Sequence, residues 1–150
     1  MAAAGAWVIH DKFKEYLGDG TIDMDGDAFN MSLFLDTSNI ATTSVDGYAS
    51  ATNEHANGNG YTTGGAAVST PTWVESAGTV TFDCANQVWT ASGGSIVARF
   101  AAIYDNTVTT PVADPIVCHS LLDSAPADVT ATDTNDLTIA ISASGVFTLA

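Results

Sequence analysis

Short apolar runs that alternate with polar residues, each closed by Gly, Asn, Asp or Ser, restrict this chain more than any other feature. Side chains of an extended strand point to opposite faces in turn, so such a run buries one face against a second layer. Phe29-Asn30-Met31-Ser32-Leu33-Phe34-Leu35-Asp36 places Phe29, Met31, Leu33 and Leu35 together. Thr79 to Ala85 groups Val80, Phe82 and Cys84; Asn86 to Ala91 follows, and Ser92-Gly93-Gly94-Ser95 turns the chain. Ile96 to Tyr104 is apolar on both faces except for Arg99, the pattern of one central strand covered on each side, and Asp105-Asn106 ends it. Pro115 to Leu122 and Asp136 to Ser142 add two more, the latter alternating through Leu137, Ile139 and Ile141, and Ser144-Gly145 turns into Val146 to Leu149. The fold class expected is mainly β, an antiparallel β-sandwich with jelly-roll or Greek-key connections.

One short N-terminal helix is expected with it. Trp7 to Leu17 carries Val8, Ile9, Lys12, Phe13, Tyr16 and Leu17 at near-helical spacing, with Gly18 as the C-terminal cap. Residues 1–6, rich in alanine, have no core-forming pattern and read as an extended arm. A length of 150 residues without linker or internal repeat predicts one domain, 1–150. From Thr37 to Gly65 the chain has few large apolar residues and is too long for a tight turn, so it is expected to make contacts.

The glycine-rich end of that stretch, Asn57-Gly58-Asn59-Gly60-Tyr61-Thr62-Thr63-Gly64-Gly65, is not a phosphate loop. A Walker loop needs Lys beside Ser or Thr after its last glycine, and Ala66-Ala67 stand there. Glycine and asparagine accept positive φ, so the stretch is expected to turn the chain. Asp19 to Asp27 (DGTIDMDGD) is the candidate for a hard cation such as calcium. Aligning Gly26 with the glycine of an EF-hand puts Thr21 and Ser32 where carboxylates are required, which excludes that motif; an acidic turn is the simpler reading. His10, His55 and His119 have no ligand-like spacing. Cys118 and His119 point to opposite faces of their strand, so they do not form a dyad, and no Gly-x-Ser-x-Gly elbow is present. Cys84 and Cys118 are expected as reduced thiols. Paired carboxylates for glycoside cleavage meet in space, so spacing alone is silent on them. Neither a catalytic residue nor a cofactor or metal site is assigned. Trp89 and Tyr104 belong to the core, while Tyr48, Tyr61 and Trp73, in or beside the long loop, are interface candidates. Asn30-Met31-Ser32 lies inside a strand and is set aside as a glycosylation sequon.

Charge narrows the partners. Lys12, Lys14 and Arg99 face seventeen acidic residues, a formal net charge of −14. Nucleic-acid and anionic-membrane binding both depend on Lys and Arg, so neither is expected. No apolar run reaches bilayer length, and the start MAAAGAWVIHDKFK lacks the basic residues of a secretory signal, so synthesis without Sec export is expected.

The order of segments resembles a family of tailed-bacteriophage virion proteins, small β-rich structural or capsid-decorating products. The segments that carry it begin with Lys12-Phe13-Lys14-Glu15-Tyr16-Leu17-Gly18-Asp19-Gly20, Asp27-Ala28-Phe29-Asn30-Met31-Ser32-Leu33 and Gly58-Asn59-Gly60-Tyr61-Thr62-Thr63-Gly64-Gly65. They continue with Val80-Thr81-Phe82-Asp83, Val88-Trp89-Thr90-Ala91-Ser92-Gly93-Gly94, Ala98-Arg99-Phe100-Ala101-Ala102-Ile103-Tyr104-Asp105-Asn106-Thr107 and Gly145-Val146-Phe147-Thr148-Leu149. The chain departs from the pattern after Thr107, where members often carry a Trp- or Tyr-rich segment and this one reads Pro115-Ile116-Val117-Cys118-His119-Ser120.

The resemblance implies a non-enzymatic virion protein, made in the host cytoplasm and placed as decoration or cement on the capsid exterior, with the major capsid protein and its own copies, as a homotrimer, for partners. A head-tail joining or tail component, or a glycan-binding host-recognition module of a tail fibre, is the alternative. Packing a −14 chain beside encapsidated DNA is costly, which favours the exterior. Met1, Ala2, Ala3 and Ala4 of the arm and the adjoining Trp7, with Tyr48 and Tyr61 of the loop, are the expected interface residues.

Overall fold

Every strand pairing among the described residues, 4–150, of the computed structural model is antiparallel. In chain order the elements are β1 (Val8–Ile9), α1 (Asp11–Asp19), β2 (Phe29–Phe34), a single 3-10 turn (Tyr48–Ser50), β3 (Ala66–Ala67), β4 (Thr72–Ser76) and β5 (Thr79–Asp83). There follow β6 (Gln87–Thr90), β7 (Ile96–Ala98), β8 (Phe100–Asp105), β9 (Ile116–Leu121), β10 (Val129–Ala131), β11 (Asp136–Ile139) and β12 (Phe147–Leu149). The fold is mainly β and sandwich-like, with one helix. A five-stranded sheet runs β1-β9-β8-β2-β3, and the smaller sheets are β10-β7, β11-β6 and β12-β5-β4.

Alternation along β2 and β8 sorts the core into two. Phe29, Met31, Leu33, Ala101 and Ile103 face the larger cluster, while Phe34, Ala102 and Tyr104 face a smaller one with Ile40, Val45 and Ile116. The larger holds an aromatic chain: Phe82 lies 5.5 Å from Phe29 and 5.4 Å from Phe147, which meets Phe13 at 5.7 Å. The smaller is roofed by the long segment between β2 and β3, so Ser32, on the face expected to be wet, is fully buried.

Two expectations need correction. The helix begins at Asp11, because Val8 and Ile9 are extended and pair with His119 and Cys118 of β9. It runs through Gly18 and ends at Gly20, whose φ of 78° is the left-handed cap that a glycine accepts without strain. The apolar run Ile96–Tyr104 is two strands: β7 pairs with β10 and β8 with β2, and the chain changes sheets at Arg99. There the Arg99 N–H donates to Phe34 O and its carbonyl accepts from Leu122 N, which satisfies the backbone at the corner.

Candidate functional site

Glu54 is the hub beneath the roof. Its Oε1 accepts from the Tyr61 hydroxyl at 2.6 Å and from the Gly64 N–H at 2.7 Å, and its Oε2 accepts from the Tyr48 hydroxyl. The Tyr61 hydroxyl in turn accepts the Leu33 N–H of β2 at 2.9 Å. Tyr48 stacks on Tyr104 with centroids 4.6 Å apart, and Tyr104 donates to Gly64 O at 2.7 Å. Burial first, then the Glu54 carboxylate, holds both the Tyr48 and Tyr61 hydroxyls protonated well beyond the ordinary tyrosine range. The glycines beside this hub turn the chain as expected. Gly65, at φ 74°, lies so close to β2 that an added Cβ would stand 1.9 Å from Met31 O.

A second polar pair pins the other end of the roof. His10 Nδ1 donates to Val45 O at 2.7 Å, which leaves its Nε2 to accept from His119 Nδ1 at 2.9 Å; the carbonyl, an acceptor only, sets both tautomers. Both rings are buried. Burial, then the neighbouring His10, drives His119 down to about 4, and burial also lowers His10 against the pull of the Val45 carbonyl. Neutral rings suit a structural bond. Cys118, next along β9, faces the larger core, as a strand requires.

The acidic run Asp19 to Asp27 uses its carboxylates on its own backbone. Asp19 Oδ1 accepts from Thr21 N, Asp23 Oδ1 from the Asp25 and Gly26 N–H groups, and Asp27 Oδ2 from Asp23 N at 2.7 Å. Among the described residues no three His, Cys, Asp or Glu side chains gather as a metal site. Asp105, which the sequence did not single out, is fully buried: its Oδ1 takes the Thr107 and Val108 N–H groups and its Oδ2 has no partner. Burial, with the Asp27 carboxyl adding to it, pushes Asp105 up to about 6 despite those two amides. Cys84 and Cys118 remain thiols; burial raises Cys84 to about 11 and Cys118 well above the usual range, which makes both poor nucleophiles.

A concavity lies elsewhere. A groove of about 1030 Å³ runs between residues 4–9 and the strands β10, β11 and β12, with Trp7, Ile9, Leu122, Leu137, Ile139 and Phe147 among its lining. The N-terminal segment forms its wall because Gly5 N donates to Leu121 O at 2.7 Å and Ser120 Oγ donates to Gly5 O, extending β1 along β9. The charged side chains of the lining are Lys14, which meets Asp11 at 3.4 Å, and Asp136, which accepts from the Thr90 hydroxyl.

The expected interface residues are therefore divided. Ala4, exposed, and Trp7, half-buried, line the groove at the β1 end of the sheet. Met1, Ala2 and Ala3 lie outside the described residues. Tyr48 is half-buried under the roof, and Tyr61, 2% exposed, is held inside the protein by Glu54 and Leu33, so it presents no surface for a partner. Trp73 is half-buried on Phe147 at 6.2 Å. Glu54 and the groove strand β10 were missed. Glu54 is the one Glu in a segment otherwise read as turn, and β10 is three residues with a single fully buried side chain, Ala131. No helix among the described residues is long and apolar enough to cross a membrane. Comparison with protein-family models, with characterised proteins and with solved structures returned no match.

Proposed function

We propose that this chain is a non-enzymatic structural protein of a bacteriophage particle, a decoration or cement protein on the head exterior that bridges and stabilises major capsid subunits. The observation that carries the reading is a division of labour: the polar clusters of Glu54 and of the His10–His119 pair close on the chain's own backbone and side chains, while the groove presents more apolar than polar surface. A catalytic pocket would gather titratable groups around a vacant position. Here the Glu54 oxygens and the ring nitrogens shared by the two histidines are occupied by folding bonds.

The resemblance in segment order supplies the particle, and the charge supports an outside position, since a −14 surface beside packaged DNA meets strong repulsion. Self-association as a trimer belongs to the same proposal. A head-tail or tail position is the alternative. The glycan-binding alternative loses support, because Tyr48 stacks on Tyr104, Tyr61 is buried at a tilt against Trp89, and Trp73 meets Phe147 edge-on, so the three rings do not form one exposed stacking surface. The test is cryo-electron microscopy of heads incubated with purified protein. Density on the outer lattice is expected, with occupancy falling when residues 1–6 are deleted while the circular-dichroism spectrum stays that of the β fold. Density confined to the neck or tail, or occupancy indifferent to the deletion, overturns this placement.

A further inference from the structure

The groove is bordered by two strand edges that have no hydrogen-bonded partner strand among the described residues. β11 pairs on one side only, with β6, from Asp136↔Thr90 to Ile139↔Gln87; β12 pairs only with β5, from Phe147↔Phe82 to Leu149↔Val80. The chain joining them is pinched by an isolated bridge between Ser142 and Gly145, with Gly145 N donating to Ser142 O at 2.9 Å. Beyond that pinch the two strands do not pair with each other, and each bonds to a different sheet. Residues 136–140 and 146–148 line the groove consecutively. Because successive side chains of a strand point to opposite faces, an unbroken run of lining residues means that the strand presents its edge, and with it a row of N–H and C=O groups.

We infer that this opening receives one extended segment of a basic partner protein, taken up as an additional strand between β11 and β12. Main-chain hydrogen bonds on its two edges would join the β11-β6 and β12-β5-β4 sheets into one, while the apolar lining takes alternate side chains. The inference rests on the docking role proposed above and names the form of the docked segment. Charge selects the occupant. Each of the chain's three cations is already paired, Lys12 with Glu15, Lys14 with Asp11 and Arg99 with Asp128, against seventeen acidic residues. A second copy brings the same excess of like charge, whereas a Lys- or Arg-bearing segment is drawn by the net charge of −14.

The experiment uses the full chain labelled with ¹⁵N and a synthetic peptide of about ten residues alternating Val and Lys, a length that matches an ordinary strand. Amide exchange across 136–140 and 146–149 is expected to slow on adding it. N-methylation of alternate peptide residues, which deletes strand hydrogen bonds and keeps the charge, is expected to weaken binding at least about tenfold. A Val–Glu peptide of the same length is expected not to bind. No slowing in these two segments, or equal binding of the N-methylated peptide, overturns the inference. Occupancy on intact heads is scored in parallel. Head binding that leaves these amides unprotected sinks strand addition and spares the particle role, and a chain that takes the peptide yet ignores heads does the reverse.

Discussion

On one face of the five-stranded sheet Phe29, Met31, Leu33 and Ile103 meet Phe82, Phe13 and Phe147, whereas on the other Phe34, Ala102, Tyr104 and Ile116 are roofed by the segment between β2 and β3. The first face is covered by strands and a helix that bond within their own sheets and turns, apart from the open edges of β11 and β12, so apolar side chains are free to fill the space. The roof has only one 3-10 turn, and its backbone must find partners elsewhere. It is stitched to the sheet at both sides: His55 N donates to Leu33 O and Leu35 N to Asn53 O, while Tyr48 N donates to Asp114 O and Ile116 N to Asp46 O. Glu54 and the histidine pair add side-chain pins. A layer built without regular structure trades area for hydrogen bonds.

That contrast is open to test, beginning with the apolar face. Phe82→Ala removes a fully buried ring at the centre of the aromatic chain and is expected to cost about 3–5 kcal/mol in denaturant unfolding, with cooperativity lost through the whole molecule. Glu54→Ala leaves two hydroxyls and the Gly64 N–H without their acceptor and is expected to cost about 2–3 kcal/mol. Its signature is local: hydrogen exchange should quicken across residues 46–65 before the strands around Phe82. Equal acceleration in both layers would erase the distinction between them.

Acid should act on the two regions with opposite sign. The folded pKa of His119 is depressed to about 4, so its contribution is complete above the ordinary value near 6.5 and is lost as pH falls toward 4. Asp105 is raised to about 6, so its contribution is complete below the ordinary carboxylate value near 3.9 and is lost as pH rises through 6. Between pH 6.5 and 4 the two offset each other. Asp105→Asn keeps an acceptor for the Thr107 and Val108 amides and removes the titration; it should melt more steeply with acid than the parent, by about 2 kcal/mol across that interval. Parallel melting curves would show that Asp105 does not titrate there. The smallest change expected is Ile40→Val under the roof, about 1 kcal/mol, with no effect on protection at Phe82.

The same contrast separates what could be read from the chain from what could not. β2, β5, β6, β9, β11 and β12 announce themselves, because alternation and turn residues are local properties. β4 does not, since its turn into β5 is Ala77-Gly78 with Ala77 at φ 51°, a residue that seldom adopts that conformation, and its side chains are mostly exposed. Trp7 to Ile9 satisfies a helical pattern and a strand pattern alike; pairing with β9 decides between them, and that partner lies far along the sequence. Arg99 stands out as the odd residue of an apolar run, yet its meaning, a change of sheet, depends on where β10 and β2 stand. Tyr48 and Tyr61 carry the pattern of surface aromatics, because nothing local says that Glu54 binds their hydroxyls.

Val8 finds its partner in His119, and Phe29 finds its own in Asp105. Contacts so distant along the chain defer closure, because the intervening polymer must be ordered before any pairing is rewarded. During synthesis at about 5–20 residues per second, the strands nearest the start therefore wait several seconds for mates not yet made. In that interval their apolar edges are the molecule's most vulnerable surface.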